Sequence, residues 1–307
     1  MSNFANRLIA AVRRVRNPVL VGLDPRAESL PKGFLADPQH ASLEETAAAY
    51  ERFCRDVIDV VSPLVPAVKP QAAFFEQLGP AGMVVLARVI QYAQQHGLLV
   101  ILDGKRNDIG STATAYARGM LGAEGRSPWG ADALTVSPYL GNDSLQPFID
   151  VAQQRSAGVF VLVKTSNPGG TMLQDLVADG QPLYRHVAAY VERQAVETQG
   201  DGGYGLVGAV VGATYPAQLA ELREAMPHTW FLVPGFGSQG GTAADVAAAF
   251  APDGLGAIVN NSRGILFAYR AKPYADRYGD TQWQSAVQAA THAMIDQLRA
   301  ETSAGTL

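Results

Sequence analysis

The run LLVILDGKRNDIGST occupies residues 98–112 and changes character within a few residues. It opens with a short apolar stretch, continues with charged residues and glycine, and leads into a helical pattern over residues 112–121. A continuous apolar stretch of this length predicts a strand that is buried on both faces, as in a parallel sheet covered by helices. The run therefore predicts a strand, a polar loop and a helix in succession.

The same unit recurs along the chain. Apolar stretches rich in Val, Ile and Leu, most of them followed by a helical pattern, lie at residues 19–23, 66–69, 98–102, 131–136, 159–163, 206–211, 230–233 and 257–260. Eight repeats favour a closed (β/α)8 TIM barrel of the α/β class, with an open, doubly wound sheet as the alternative. No linker or shift in composition divides the chain, so we expect one domain over residues 1–307.

Both ends of the chain contain helical patterns. The first residues are rich in arginine and poor in acid, as in a transit peptide. The spacing of Leu8, Ile9, Val12 and Val15 instead favours an amphipathic helix that closes the bottom of the barrel. Residues 281–299 predict the last helix, and we expect the tail after Glu301 to be frayed.

The composition excludes several classes of protein. The chain carries a net charge of −4 and has no block of Lys and Arg, which argues against a nucleic-acid partner. Cys54 is the only cysteine, so no intramolecular disulfide can form, and this fits a reducing compartment. No run of 18 apolar residues is present, so we expect no membrane span and a cytoplasmic protein.

In such a barrel the chemistry lies at the carboxyl ends of the strands. The polar residues predicted there are Asp24, Lys69, Asp103, Lys105, Ser166, Asn167, Gln239, Ser262 and Arg263. Side chains two apart on an extended chain point the same way, so Asp103 and Lys105 should both face the mouth. The carboxylate favours a protonated lysine, which can donate a proton or stabilise negative charge on carbon.

Each member of this charged set also has a structural explanation. Asp103 and Lys105 could form a structural ion pair, and Asp108 could cap the helix that begins near Ser111. Lys69 could be a surface lysine whose stem packs on apolar side chains. An alternating Asp and Lys cluster is costly to bury, however, so the set as a whole favours a catalytic role.

The segment VPGFGSQGG, residues 233–241, predicts an anion site. Its glycines, Gly237 among them, let backbone N–H groups approach an anion, and the helix that begins near Thr242 adds a favourable dipole. Arg263 in the following NNSRGI can grip a phosphate by two hydrogen bonds. Tight turns that need glycine are the alternative. Loops after the seventh and eighth strands are the usual phosphate site of this architecture, which favours phosphate.

The five histidines fall on predicted helices or in loops before strands, away from the mouth. The sequence contains no HExxH motif and no Cys/His cluster, and it suggests no Ser–His–Asp arrangement. We therefore expect neither a metal nor a cofactor, and chemistry that depends on Asp, Lys and backbone dipoles.

At these residues the chain closely resembles the orotidine 5′-monophosphate decarboxylase family, and the resemblance covers nearly the whole barrel. The matching segments are GLDPR at 22–26, VKPQ at 68–71, LDGKRNDIGST at 102–112, VKTSNPGG at 163–170, PGFGSQGG at 234–241 and NSRGI at 261–265. The D-x-K-x-x-D-I core is specific where it ends a third barrel strand. DGKRNDIG and TSNPGG resemble the longer bacterial subgroup.

The resemblance implies a cofactor-free carboxy-lyase that converts orotidine 5′-monophosphate to uridine 5′-monophosphate and carbon dioxide in de novo pyrimidine biosynthesis. It implies that Lys69 bridges the ribose and Asp103, that Asp103 lies against the substrate carboxylate, and that Lys105 protonates C6. The other implied contacts are Asp24 on the ribose hydroxyls, Ser166 on the pyrimidine amide, and Gly237, Gln239 and Arg263 at the phosphate. A homodimer is implied, in which Asp108, Ile109 and Thr112 reach the neighbouring subunit's site.

One departure and three rival functions remain. Shorter family members have a longer phosphate loop after the seventh strand, whereas here the lid could be residues 166–181. A sugar-phosphate lyase of the same superfamily would bind magnesium through a Glu at the position of Lys69. A non-catalytic sensor of a phosphorylated ligand would not need the charged set. A Schiff-base aldolase would need a lysine of low pKa, which flanking carboxylates oppose.

Overall fold

A computed structural model describes residues 3–122, 127–237 and 240–307, in which eight parallel strands close into a barrel. The barrel strands are β1 (Val19–Leu23), β2 (Ala67–Pro70), β3 (Leu99–Arg106), β4 (Ala133–Val136), β5 (Gly158–Lys164), β6 (Val207–Val211), β7 (Phe231–Val233) and β8 (Ala257–Asn261). They follow one another around the barrel in chain order, and β1 pairs with both β2 and β8. The predicted TIM barrel is therefore confirmed, and the open sheet is wrong.

Helices surround the barrel. They are α1 (Phe4–Val15), α2 (Leu43–Val61), α3 (Ala72–Glu76), α4 (Gly79–Gln95), α5 (Gly110–Met120), α6 (Asn142–Arg155), α7 (Thr171–Gln174), α8 (Leu183–Glu197), α9 (Pro216–Ala225), α10 (Ala243–Val246), α11 (Arg263–Leu266), α12 (Tyr274–Arg277) and α13 (Trp283–Glu301). A short antiparallel ribbon, Val177–Ala178 with Gln181–Pro182, lies between α7 and α8. The long connection after β5 thus has structure of its own.

Side chains alternate between two apolar clusters along each strand. On β1, Val19 and Val21 belong to the cluster between barrel and helices, whereas Leu20 belongs to the cluster inside the barrel. On β3, Val100 and Ile101 divide in the same way. This alternation follows from the two-residue period of a strand, and it fixes which residues can reach the mouth.

The bottom of the barrel is closed by α1, as predicted. Phe4, Leu8, Ile9 and Val12 are buried and share one cluster with inward-facing residues of the strands. Val15, which was also predicted to face inward, is only half-buried. The alternation of apolar and arginine residues in α1 therefore reflects a helix that packs its apolar face on the barrel floor.

The prediction of a frayed carboxyl-terminal tail is wrong. Residues Ser303–Thr306 form a turn of 3-10 helix in which Ala304 is buried. The Ser303 hydroxyl donates to the carbonyl of Ala251 at 2.7 Å. A backbone that is hydrogen-bonded and packed in this way is ordered, and the polar composition of the tail gave no sign of it.

None of the helices within the described part of the chain combines the length and apolar character that a membrane crossing requires.

The floor helix supplies a test of the packing. Replacing Leu8, which is fully buried, with Ala should lower the free energy of unfolding by about 2–5 kcal/mol, because the floor helix packs on rigid strands that relax only in part around a cavity. Arg13→Ala, on the exposed face of the same helix, should change it by less than about 0.5 kcal/mol. Urea denaturation followed by circular dichroism measures both values. Equal losses in the two variants would contradict the packing described here.

Candidate active site

The mouth of the barrel opens into a cavity of about 910 Å³. Each strand supplies to the cavity wall at least one inward-facing residue or the residue just beyond its end. These residues include Asp24, Lys69, Asp103, Thr135, Leu162, Val210, Leu232 and Asn260. Acidic, basic and amide groups thus meet above an apolar interior, at the carboxyl end of the barrel where this fold holds its chemistry.

The carboxylate of Asp103 is the centre of the charged groups. Its Oδ2 accepts hydrogen bonds from Lys69 Nζ at 2.9 Å and from Gln71 Nε2 at 3.0 Å. Its Oδ1 accepts from Lys105 Nζ at 2.6 Å and from Thr135 Oγ1 at 2.9 Å. The side chains of Lys69 and Asp103 are 5% and 9% exposed, whereas that of Lys105 is 48% exposed. Lys105 is therefore the ammonium group that is open to the cavity.

Electrostatics keep this cluster ionised in spite of its burial. Burial alone would raise the pKa of Asp103, but the ammonium groups of Lys69 and Lys105 hold that pKa well below its usual range. Burial also opposes the charge of Lys69, yet Asp103 and Asp24 raise the pKa of Lys69 above its usual value. At neutral pH the site thus contains a fixed carboxylate between two ammonium groups.

The end of β3 departs from the extended chain that the sequence predicted. The strand runs to Arg106, beyond its predicted end at residue 102, and its register with β4 shifts between Leu102 and Arg106. Lys105 lies in this irregular part with a φ of 43°, a left-handed conformation that is unfavourable for a residue with a side chain. Asp103 and Lys105 do meet as predicted, but a strand irregularity brings them together.

Two buried oxygens in the wall accept no hydrogen bond from the described part of the chain. They are Oδ1 of Asp24, just after β1, and Oδ1 of Asn260 at the end of β8. Between them, Gly22 lies so close to Ser262 that a Cβ on the glycine would come within 1.8 Å of the serine hydroxyl oxygen. Only glycine fits there, so this side of the wall is shaped by a close contact between β1 and the residue that follows β8.

Two glycines that follow β7 have a positive φ. Gly235 and Gly237 have φ values of 100° and 70°, which favour glycine. Thr242 is the N-cap of α10, as predicted, but α10 has only four residues and Asp245 accepts hydrogen bonds from the backbone and hydroxyl of Thr242. The helix dipole is therefore a weak contributor to anion binding. These two glycines and the exposed guanidinium of Arg263, which lines the cavity, are the stronger candidates.

Hydrogen bonds and an ion pair hold the segment after β5 against the end of that strand, near the cavity. Thr165 and Gln174 exchange hydrogen bonds of 3.0 and 2.7 Å, and the buried Lys164 forms an ion pair with Asp175. Ser166 and Asn167 line the cavity beside them. The segment predicted as a lid therefore contributes residues to the wall.

The structure brings together most of the predicted site residues. Asp24, Lys69, Asp103, Lys105, Ser166 and Arg263 line the cavity. The described residues that line it do not include Asp108, Ile109, Thr112 or Gly237. Gln239 lies outside the described residues.

The helix-cap interpretation of Asp108 is wrong. Ile109 is the N-cap of α5, and it makes no side-chain cap hydrogen bond. Asp108 Oδ1 accepts instead from the backbone N–H of Ile109 at 2.8 Å. Ile109 is 56% exposed, and Thr112 is exposed as well. This edge of the mouth thus presents an acidic, an apolar and a hydroxyl side chain outside the cavity.

Sequence reasoning missed several polar residues that line the cavity, Gln71, Thr135 and Asn260 among them. Gln71 follows Lys69 by two positions, Thr135 is the polar residue of a strand that is otherwise apolar, and Asn260 ends β8. A signal was present, because Thr135 and Asn260 each follow an inward-facing apolar residue by two positions, as Asp103 does.

Comparisons with known proteins agree with this geometry. Residues 17–278 match the model of the orotidine 5′-phosphate decarboxylase / HUMPS family. An orotidine 5′-phosphate decarboxylase of Rhodopirellula baltica is 58% identical, over 97% of this chain and 100% of the relative. One from Caldicellulosiruptor bescii is 38% identical, over 90% and 93%. The solved OMP decarboxylase of Leishmania donovani has a TM-score of 0.76 and 35% identity, and the alignment covers 98% of this chain and 99% of that one. The chain therefore belongs to the orotidine 5′-phosphate decarboxylase / HUMPS family.

Proposed function

We propose that this chain decarboxylates orotidine 5′-monophosphate to uridine 5′-monophosphate and carbon dioxide, without a cofactor, as a step of de novo pyrimidine biosynthesis. The observation that carries the proposal is the Asp103 carboxylate held at hydrogen-bond distance from two ammonium groups, with Lys105 open to the cavity. Such an arrangement suits a reaction that removes a negative group from carbon and leaves negative charge behind.

In the proposed reaction the bond between C6 and the carboxylate breaks, and both electrons stay on C6. Carbon dioxide leaves, and a proton passes from Lys105 Nζ to C6. Asp103, beside the departing carboxylate, disfavours the negatively charged ground state, while the ammonium of Lys105 stabilises the carbanion. Water then restores the proton of Lys105. The residues supply this chemistry with charge and position alone.

The other predicted contacts extend along the cavity. Asp24, whose Oδ1 has no protein partner within the described residues, accepts hydrogen bonds from the ribose hydroxyls, and Lys69 bridges the ribose and Asp103. Ser166 binds the pyrimidine amide from the segment after β5. Arg263 holds the phosphate, together with Gly237 and Gln239. Binding of this remote group supplies free energy that can organise the reacting end.

The edge formed by Asp108, Ile109 and Thr112 suggests a homodimer. These residues follow the catalytic strand directly but lie outside their own cavity, and Ile109 exposes an apolar side chain. In the proposed dimer they complete the neighbouring subunit's site, with Asp108 continuing the alternation of charge. We further propose that residues 1–307 act as one domain, in the cytoplasm and without nucleic-acid or membrane partners.

Replacing Lys105 with Ala should abolish turnover, with kcat lower by at least about two to three decades, because a preorganised charge at the carbanion is lost. Uridine 5′-monophosphate should still bind, since the phosphate and ribose contacts are intact. The loss of orotidine monophosphate absorbance measures turnover, and isothermal titration calorimetry measures binding. Lys32→Ala, at an exposed lysine, is the control and should keep wild-type values. Substantial turnover by Lys105→Ala would contradict the proposal.

A magnesium-dependent sugar-phosphate lyase is the alternative that the sequence raised. The ammonium of Lys69 lies 2.9 Å from Asp103, where it would repel a divalent cation. We therefore expect the decarboxylase activity to be unchanged by an excess of EDTA, in the same absorbance assay. A loss of activity in EDTA that magnesium restores would favour the alternative.

Sharing of sites between subunits can be tested by mixing two inactive variants. Lys105→Ala and Asp108→Ala should each be inactive alone. A mixed dimer would contain one intact site, so unfolding and refolding the two variants together in equal amounts should restore about a quarter of the wild-type activity. The control is each variant refolded alone. If the mixture were no more active than the two variants separately, Asp108 would act within its own subunit or not at all.

A further inference from the structure

Thr135 is a buried threonine that links the two central residues of the site. It is 1% exposed and lies on β4, next to the irregular end of β3. Its Oγ1 accepts a hydrogen bond from the backbone N–H of Lys105 and donates one to Asp103 Oδ1, both at 2.9 Å. We propose that Thr135 is a positioning residue for the decarboxylation, which fixes the Asp103 carboxylate and the Lys105 backbone together. This inference rests on the proposed function.

The direction of both hydrogen bonds is fixed by chemistry. A backbone N–H can only donate, so the oxygen of Thr135 is the acceptor from Lys105. An ionised carboxylate can only accept, so the single hydroxyl hydrogen of Thr135 points to Asp103. The hydroxyl therefore has one orientation, and a side chain without a hydroxyl would lose both contacts at once.

At the carboxylate, Thr135 completes a full set of donors. A carboxylate offers about four acceptor positions, and Asp103 uses them for Lys69, Gln71, Lys105 and Thr135. Without the Thr135 hydroxyl, Oδ1 keeps only Lys105 as a donor, and the carboxylate can turn toward its remaining partners. A carboxylate that faces the substrate must instead keep its orientation while the reaction proceeds, because its repulsion of the substrate carboxylate weakens as the distance between the two groups grows.

At Lys105, Thr135 supports a strained backbone. The φ of 43° is unfavourable for a lysine, and such conformations persist only where the surroundings hold them. The backbone N–H of Lys105 donates to the hydroxyl oxygen of Thr135 and helps to hold this conformation. Loss of the acceptor would let the backbone relax, and the ammonium group would then move with it relative to C6.

The test compares three substitutions. Thr135→Val keeps the shape of the side chain and removes the hydroxyl, whereas Thr135→Ser keeps the hydroxyl. Thr291→Val is the matched control, because Thr291 is also fully buried and donates to a backbone carbonyl, but on α13 away from the mouth. For each variant we would measure kcat and KM with orotidine monophosphate, the affinity for uridine monophosphate, and the melting temperature.

We expect Thr135→Val to lower kcat about a hundredfold, the loss that a small misplacement of reacting groups produces. Its KM and its affinity for uridine monophosphate should stay within about threefold of wild type, since the remote contacts that supply binding free energy are untouched. Thr135→Ser and Thr291→Val should both keep near-wild-type kcat. A purely structural role would instead lower the nucleotide affinity and the melting temperature along with kcat.

Wild-type kcat in Thr135→Val, or a loss in Thr135→Ser equal to that in Thr135→Val, would overturn the inference. So would a fall in nucleotide affinity that matched the fall in kcat. If Thr135→Val did not fold, Thr135→Ala would replace it in the same comparison, with the same expected result. Absence of turnover in the wild-type protein would count against the proposed function itself, so the two failures are distinguishable.

Discussion

The structure of the mouth depends on keeping one buried carboxylate ionised. Asp103 is removed from water, which alone would favour its neutral form, and two ammonium groups reverse that preference. Replacing either lysine with a neutral residue would be destabilising, because the buried carboxylate would lose one of the positive charges that offset its own. The cluster is therefore a set of mutually dependent charges, and the four donors to Asp103 hold those charges at fixed positions.

The barrel makes such a cluster possible because each strand sends every second side chain inward. Apolar residues fill the lower interior, and the α1 helix seals it from below. At the top, the same inward positions carry charged, amide and hydroxyl groups. The packed apolar layers make the strands rigid. The strands therefore hold the polar groups at hydrogen-bond distances from one another, which a flexible loop would not do.

The regular parts of this molecule could be predicted from the sequence, and the irregular parts could not. Apolar runs located all eight strands, and the carboxyl ends of those strands placed Lys69 and Asp103 at the mouth. Periodicity does not describe a backbone that leaves the regular path, so the left-handed Lys105 and the packed tail at Ser303 were missed. Thr135 was missed for another reason. Its hydrogen-bond partners, Asp103 and Lys105, lie on the neighbouring strand β3, and the sequence of β4 alone does not identify them.

The charges of the cavity also explain why a remote binding group matters to the proposed reaction. Asp24 and Asp103 offset the positive charges of Lys69 and Lys105, so these four groups together offer an anion little net attraction. In the proposed reaction Asp103 would also repel the substrate carboxylate directly. The free energy to place that carboxylate must therefore come from elsewhere. Arg263 and the glycines after β7 lie at the carboxyl end of the barrel strands, where their N–H groups can bind an anion. In the proposed reaction, binding of the substrate phosphate there would supply free energy that offsets the repulsion between the two carboxylates, and that repulsion would disappear as carbon dioxide leaves.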